Sequence, residues 1–191
     1  MIDPSIPQPL QDIVSRELER DEQIEWIGMP IPRFFTPTAT GAFLFGIPWT
    51  AFAIFWMAGA SKFQIPKFEE GFDLFPLFGI PFVLIGFGML STPLWAYRRA
   101  FKTVYVITDR RAITFDGGWS TTIRSYPPDK LTNVFRKERK GGTGDVIISY
   151  RAWRDSDGDR QSEELGFLRV AGAKDVEQRL KQLAEAAVEA G

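Results

Sequence analysis

Two long runs without a charged residue constrain this chain more than any other feature. They cover residues 34–61 and 74–97. An α-helix needs about 20 apolar residues to cross a hydrocarbon layer roughly 30 Å thick, and each run is longer than that. Both runs are apolar on all sides, whereas a surface helix of a soluble protein shows one apolar stripe. The runs therefore predict a membrane α-helical hairpin, with transmembrane helices at about 36–60 and 75–97.

A buried core hairpin and a cleaved signal peptide are the two alternatives to a membrane anchor. A helical hairpin buried in a soluble core is also apolar all round, but the length of both runs disfavours it. A cleaved signal peptide would follow a short basic segment, whereas residues 1–33 carry seven acids against three bases. An uncleaved membrane anchor is the better interpretation.

The distribution of Lys and Arg predicts which side of the membrane the termini face. Eight of these residues flank the outer ends of the hairpin, and two lie in the loop 61–74 between the runs. Because cytoplasmic loops carry the excess of positive residues, we expect both termini in the cytoplasm and the loop outside. Arg98, Arg99 and Lys102 directly follow the second run, so they are candidate contacts with the membrane surface. The alternative is that these residues only set the orientation of the hairpin.

The pattern changes after residue 102 to short segments rich in β-branched and aromatic residues, separated by turns. Six such segments follow one another with hairpin-length connections, which predicts an antiparallel meander or a partly open barrel. They lie at 104–108, 112–115, 121–126, 131–136, 146–153 and 164–170. Apolar residues at helical spacing over 176–188 predict a final helix that covers the open end of the sheet.

Three stretches resemble the bacterial pleckstrin-homology-like (PH-like) domain family. Residues 105–115 look like its opening hairpin, and residues 22–30 look like the acidic Trp-x-Gly-x-Pro element that precedes a transmembrane hairpin in membrane-attached members. Residues 165–176 resemble its last strand and the start of its helix. The resemblance implies a PH-like partly open antiparallel β-barrel closed by a C-terminal α-helix. Since that fold has seven strands and six are found here, either one strand boundary is misread or one more strand comes from elsewhere, such as near Trp26.

The predicted organisation has three parts. Residues 1–33 form a cytoplasmic N-terminal segment with a short amphipathic helix, residues 34–97 form the hairpin, and residues 98–191 form a cytoplasmic PH-like domain. The N-terminal helix is acidic, which disfavours an anionic membrane surface, so we expect it to pack on the PH-like domain. The resemblance implies a multi-pass protein of the bacterial inner (cytoplasmic) membrane.

Composition argues against most catalytic chemistry. The chain has no Cys and no His, which removes the thiol nucleophile, the usual general base and the commonest metal ligand. The acidic turn 155–159 is not followed by the Gly and bidentate Glu that a calcium loop needs at its sixth and twelfth positions. The glycine turn 140–144 is flanked by strands, unlike a phosphate loop. No catalytic residue, cofactor or metal site is predicted, and an enzyme dependent on carboxylates is a remote alternative.

A second basic cluster lies next to the glycine turn. It comprises Arg136, Lys137, Arg139 and Lys140. Such a cluster is a candidate contact for lipid headgroups or for a protein partner, and the alternative is a solvated hairpin. Nucleic acid is not an expected partner, because no nucleic-acid-binding motif occurs.

These observations together predict a non-enzymatic, membrane-tethered interaction or scaffold module. Its PH-like domain would bind a protein partner, a second copy of itself or anionic lipid headgroups. The alternative is an accessory subunit of a larger membrane complex, in which the hairpin makes the functional contact with the complex.

Overall fold

The computed structural model describes residues 6–61, 76–118, 120–139 and 141–189. The chain divides into two compact units. One unit, here called the sheet unit, comprises the N-terminal segment to Pro32 together with the chain from Arg99 onward. The other, the hairpin unit, comprises Arg33–Arg98.

The described residues form five α-helices, seven β-strands and two short 3₁₀ helices. In chain order the α-helices and strands are α1 (Gln8–Glu17), β1 (Ile24–Gly28), α2 (Pro37–Ala60), α3 (Ile80–Leu90), α4 (Thr92–Ala100), β2 (Val104–Thr108), β3 (Ala112–Gly117), β4 (Thr121–Tyr126), β5 (Phe135–Glu138), β6 (Thr143–Arg154), β7 (Arg160–Ala171) and α5 (Ala173–Glu189). The 3₁₀ helices are Pro76–Gly79 and Pro128–Lys130.

The first sheet obtains its missing strand from the N-terminal segment. Its order is β1-β2-β3-β4, with every neighbouring pair antiparallel. Strand β1 lies before the hairpin in the chain, yet it pairs with β2 after it, and Trp26 stands opposite Ile107. Of the two explanations for the missing strand, the structure thus favours a strand supplied from near Trp26. A fragment that began at residue 100 would lack an edge of this sheet.

The strands form two separate sheets, and the predicted partly open barrel is not formed. Strands β5, β6 and β7 form a separate three-stranded sheet. Between β4 and β5 the chain passes through Pro127 and Pro128 and a 3₁₀ turn. Prolines have no N–H to donate to a ladder, so this stretch leaves the first sheet instead of continuing it around to the second. The result is an α+β arrangement of two antiparallel sheets and helices, consistent with a PH-like fold.

The main core lies where the two sheets and α5 meet. Its buried side chains come from β2 and β3, from β6 and β7, and from one face of α5. Phe167 is fully buried, and its ring stacks on Tyr105 at a centroid distance of 4.9 Å and on Trp26 at 5.7 Å. Aromatic pairs at such distances add attraction beyond the burial of their area. The expected C-terminal helix thus packs on the sheets through Val176, Leu180 and its neighbours.

A second core lies on the outer face of the first sheet, beneath α1. Leu10 and Val14 of α1 pack with Val104, Val106 and Phe115. Both faces of β2 are therefore covered, which explains why its sequence is a continuous apolar run with no polar alternation. The expectation that the N-terminal helix packs on the domain is confirmed.

The hairpin unit contains α2, α3 and α4. Helix α2 is 24 residues long and is long and apolar enough to cross a membrane. The predicted single helix over 75–97 is instead a 3₁₀ turn followed by α3 and α4, which are bent by 43° at Ser91. Pro93 explains the bend, because its ring would clash with the carbonyl four residues earlier and it lacks an N–H. The predicted external loop 61–74 lies, apart from Ser61, outside the described residues.

Small residues allow α2 and α3 to approach closely. A Cβ built on Gly86 would lie 2.2 Å from Thr50 Oγ1 and 3.2 Å from the Thr50 Cα. A Cβ on Gly46 would lie 2.8 Å from the Met89 Cβ. By contrast, a Cβ on Gly88 would meet nothing within 4 Å. Gly46 and Gly86 are therefore contact positions, as in many membrane helix pairs, and Gly88 is not.

Gly86→Ala should lower the stability of the helix pair by about 1–3 kcal/mol, because the new methyl group overlaps Thr50. Gly88→Ala is the matched control, since it adds the same methyl group to the same helix in open space. We expect the control to be neutral or slightly stabilising. The measurement is thermal unfolding of the full chain in detergent, followed by helical circular dichroism. Equal effects of the two substitutions would contradict the packing described here.

Candidate functional site

The basic cluster predicted at 136–140 lies on β5 and just after it. Arg136 and Lys137 are β5 residues, Arg139 follows the strand, and Lys140 lies outside the described residues. Because side chains alternate along a strand, Arg136 reaches the α5 side and Lys137 the opposite face. The cluster is therefore divided between two faces of the sheet.

Carboxylates already pair with the described cations of this cluster. Arg136 contacts Glu177 of α5 and also bonds Glu138 with its Nε at 3.0 Å. Lys137 contacts Glu164 of β7. Any anionic ligand would have to compete with these groups.

Two further contacts complete the charge balance around β5. Arg139 Nη2 lies 2.9 Å from Asp145 Oδ2. Lys181 Nζ donates to Glu177 at 2.8 Å. The Lys181 hydrogen bond lowers the pKa of Glu177, burial opposes that effect, and Arg136 adds to the lowering. The arrangement is that of paired surface ions, which individually contribute little to stability.

The three bases predicted at the membrane surface have a different environment. Arg98, Arg99 and Lys102 are exposed. Among the described residues, no carboxylate forms an ion pair with any of them. Their charges are therefore available to an external anion, whereas those of β5 are largely neutralised within the domain.

A bidentate ion pair joins the N-terminal segment to the turn after β2. Arg111 Nε lies 2.9 Å from Glu22 Oε1, and Arg111 Nη2 lies 3.0 Å from Glu22 Oε2. The Glu22 carboxylate also accepts from the Thr108 hydroxyl at 2.8 Å and from the Glu19 N–H at 2.7 Å. The Glu22 side chain is fully buried. Four donors thus replace the water that this carboxylate has lost.

The surroundings of Glu22 hold it in its charged form. The hydrogen bond from Arg111 lowers the pKa of Glu22 to about 2, against the raising effect of burial, and the bonds from Glu19 and Thr108 assist. Because neither partner exchanges a proton near neutral pH, the pair suits a structural clasp and not acid–base catalysis. Sequence reasoning missed this pair, although the two residues lie in two of the three stretches that carry the family resemblance.

The Asp155 side chain closes the acidic turn by accepting hydrogen bonds from residues of the turn itself. Asp155 Oδ1 accepts from the N–H groups of Asp157 at 3.1 Å and Asp159 at 2.9 Å, and Oδ2 accepts from the Gln161 amide at 3.0 Å. Both carboxylate oxygens thus take part in an Asx-type turn. Across the part of the chain that the structure describes, no group of three acidic side chains is placed to hold a metal ion.

An apolar groove of about 260 Å³ lies between α2 and the start of α3. Its lining is mostly aromatic and includes Trp49, Phe52, Trp56, Phe78 and Phe82. The lining residues carry no ionisable side chain, so the groove offers no acid, base or nucleophile.

Glu22→Gln should lower the free energy of unfolding by roughly 2–4 kcal/mol at pH 7, since it removes the buried carboxylate that Arg111 contacts through two hydrogen bonds. The remaining carboxylate, that of Glu17, lies 3.8 Å from Arg111. The difference between 4.5 and about 2 in the pKa of Glu22 corresponds to roughly 3 kcal/mol. Because the folded-state pKa is lowered, this stabilisation is fully present above pH 4.5 and is lost as the pH falls toward 2.

The pH dependence separates this effect from a general loss of packing. The stability gap between wild type and Glu22→Gln should shrink between pH 4.5 and 2, as measured by chemical denaturation at a series of pH values. Glu25 lies on β1 and is exposed, so Glu25→Gln is the matched control and should change stability by less than about 0.5 kcal/mol. A gap independent of pH would contradict the role of the charge.

Comparison with known proteins gives one match. The family model of the bacterial PH domain matches residues 40–184, about three quarters of the chain. The match begins within α2 and ends within α5, so it includes β2–β7 and leaves β1 outside. No curated protein and no solved structure matches significantly. The family match covers most of the chain, and the two-sheet α+β arrangement is consistent with a PH-like fold. The chain therefore belongs to the bacterial PH domain family.

Proposed function

We propose that this protein is a non-enzymatic, membrane-tethered interaction module of the bacterial inner membrane. The observation that carries the proposal is the exposure of α2. Only 17% of the most apolar window of this helix is buried, whereas the core helix of a soluble protein is mostly buried. A long apolar helix with so much exposed surface is accommodated by lipid.

The bulky side chains of the hairpin unit support a lipid environment. Phe52 and Phe55 on α2 are 68% and 66% exposed, and Leu84 on α3 is 64% exposed. Burial of one such side chain contributes about 1.5–3 kcal/mol, and a contiguous apolar surface of this kind marks an interaction site. The bent pair α3–α4 would provide the second crossing of the membrane.

The hairpin unit lies in the chain between two strands of the first sheet. Strand β1 ends at Gly28 and α2 begins at Pro37, while α4 ends at Ala100 and β2 begins at Val104. Because β1 and β2 pair with one another, both connections leave neighbouring strands. In the proposed arrangement both termini lie in the cytoplasm.

The proposed contacts with anionic headgroups are Arg98, Arg99 and Lys102. Their charges are not paired within the described chain, and a basic residue near an anionic leaflet contributes about 1 kcal/mol. The β5 cluster (Arg136, Lys137, Arg139 and Lys140) is the second proposed contact for headgroups or a partner. Its intramolecular ion pairs would have to open first.

A second candidate function is that of an accessory subunit of a larger membrane complex. The aromatic groove between α2 and α3 favours it, because such a concave surface fits a side chain from a neighbouring helix. Crosslinks that arise mainly from residues 34–97 would support this alternative, and crosslinks mainly from 98–191 would support the interaction module.

Single-cysteine labelling tests the tether, because the natural chain has no Cys. A cysteine in place of Lys67 should react with a membrane-impermeant maleimide added to intact spheroplasts. Cysteines at positions 5 and 191 should react only after the membrane is permeabilised. The protein should also stay in the membrane fraction after carbonate extraction. Labelling of all three positions only after permeabilisation, or release by carbonate, would contradict the proposed arrangement.

Two charge variants rank the proposed headgroup contacts. Changing Arg98, Arg99 and Lys102 together to Ser should weaken retention of phosphatidylglycerol by about 100-fold, from about 1 kcal/mol for each charge. Changing Arg136, Lys137, Arg139 and Lys140 to Ser should weaken it far less, because the described members are already paired. Native mass spectrometry of the full chain in detergent counts the bound lipids. The opposite ranking would move the lipid contact to β5.

A further inference from the structure

Strands β6 and β7 extend well beyond the rest of their sheet. Each has 12 residues, whereas β5 pairs only with residues 144–147 of β6. From residue 149 to Arg154, β6 is paired with β7 alone, as far as the opposed residues Arg154 and Arg160. We call residues 149–165 the ribbon. Along this part of β6, the edge away from β7 faces no other strand of the described chain.

The free edge carries side chains that are common at the centres of protein interfaces. Tyr150 is 56% exposed and Trp153 is 45% exposed. Arg151, Ala152 and Arg154 are exposed as well. Among the described side chains, neither arginine takes part in an ion pair. Tyr, Trp and Arg are enriched in residues that dominate binding energy, and an unpaired edge is a template for another strand.

The hydrogen-bond phase of the ribbon shows which backbone groups are free. The N–H of Asp155 donates to the carbonyl of Asp159 at 3.0 Å and closes the turn. In an antiparallel pair, hydrogen-bonded and non-hydrogen-bonded positions alternate. The next hydrogen-bonded position on β6 is therefore Trp153. Tyr150, Ala152 and Arg154 direct their N–H and C=O groups to the free edge.

The side chains of residues 150–154 are complementary to those of a second copy that runs in the opposite direction. In an antiparallel pair with a two-fold axis at Ala152, Tyr150 of one copy stands opposite Arg154 of the other. Arg151 likewise stands opposite Trp153, and the two alanines face each other. Each arginine thus meets an aromatic ring, a favourable cation–π arrangement. A pair centred on Arg154 would instead oppose two arginines.

The same register also pairs the free backbone N–H and C=O groups of the β6 edge through hydrogen bonds. Because the residue on the axis is one whose N–H and C=O point outward, it forms a hydrogen-bonded pair with its own copy. The two flanking pairs of Tyr150 with Arg154 are also hydrogen-bonded positions. Both the side chains and the backbone therefore select the register centred on Ala152.

We propose that a second copy of this chain pairs with the free edge of β6, centred on Ala152, to form a two-fold symmetric dimer. The proposal rests on the proposed function in that it names one partner of the interaction module. The pairing itself uses only residues of the ribbon, so its failure would leave the membrane tether untouched. Likewise, a failed labelling test at Lys67 would leave the pairing untouched.

Cysteine crosslinking of the full chain tests the register. A two-fold axis at Ala152 places the two Cα atoms of this residue about 5.5 Å apart, which is within disulfide range. Ala152→Cys should therefore give a disulfide-linked dimer on mild oxidation, both in membranes and in detergent. Ser162 stands opposite Ala152 on β7, and its N–H faces the other edge of the ribbon. Ser162→Cys is the matched control and should remain monomeric on a denaturing gel.

Proline variants test the edge by a separate route. Ala152→Pro removes an N–H that faces away from β7, so the ribbon should tolerate it, as edge strands do. It should raise the dissociation constant of the dimer by about 100-fold or more. Ser162→Pro is the control on the opposite edge and should leave the dimer intact. The readout is the mass of the detergent-solubilised protein by light scattering over a range of concentrations.

The results of these experiments decide the proposal. A dimeric wild type, a monomeric Ala152→Pro variant and a crosslink specific to Ala152→Cys would support it. A monomeric wild type at every concentration, an Ala152→Pro variant as dimeric as the wild type, or equal crosslinking from both edges would overturn it. Loss of the dimer in both proline variants would also overturn it, since the pairing would then not depend on the β6 edge.

Discussion

The antiparallel pairing of β1 with β2 is the interaction on which the rest of the structure depends. The two strands are separated in the chain by the whole hairpin unit, so their pairing closes a long loop and carries the entropic cost of that closure. The buried pair of Glu22 and Arg111 stabilises the junction next to the strands. Without the pairing of β1 with β2, β2 would be an edge strand and Trp26 would be absent from the core.

This pairing also explains why the domain has two hydrophobic cores. Once β1 covers the edge of β2, the chain before it brings α1 over the outer face of the sheet, while Trp26 stacks on Phe167 at the inner face. The N-terminal segment is therefore a structural part of the PH-like domain and not an appendage. The family match begins only at residue 40, after this segment has already supplied a strand and a helix.

Sequence reasoning succeeded where local pattern and tertiary structure agree. Six strands after the hairpin and the C-terminal helix were predicted, because alternation, turn residues and helical spacing are local signals. The fourth of these strands, expected at 131–136, forms at Phe135–Glu138 instead. Sequence reasoning did not foresee that the strands form two separate sheets in place of a partly open barrel, or that the second apolar run is bent, where Pro127, Pro128 and Pro93 interrupt backbone hydrogen bonding. It also treated the bases of β5 as one cluster, because their partners Glu164 and Glu177 are distant in the chain.

The sequence by itself determined that two long uncharged runs precede a β-rich segment, in a chain without cysteine or histidine. These properties follow from the composition and from the spacing of residues along the chain, which folding does not change. Only the tertiary structure decided which charges are neutralised, that Glu22 is buried against Arg111, and that residues 149–154 of β6 pair with β7 alone among the described strands. Each of these features depends on which distant segments of the chain come into contact. Strand pairing decides those contacts, and it uses backbone N–H groups that every residue except proline can donate.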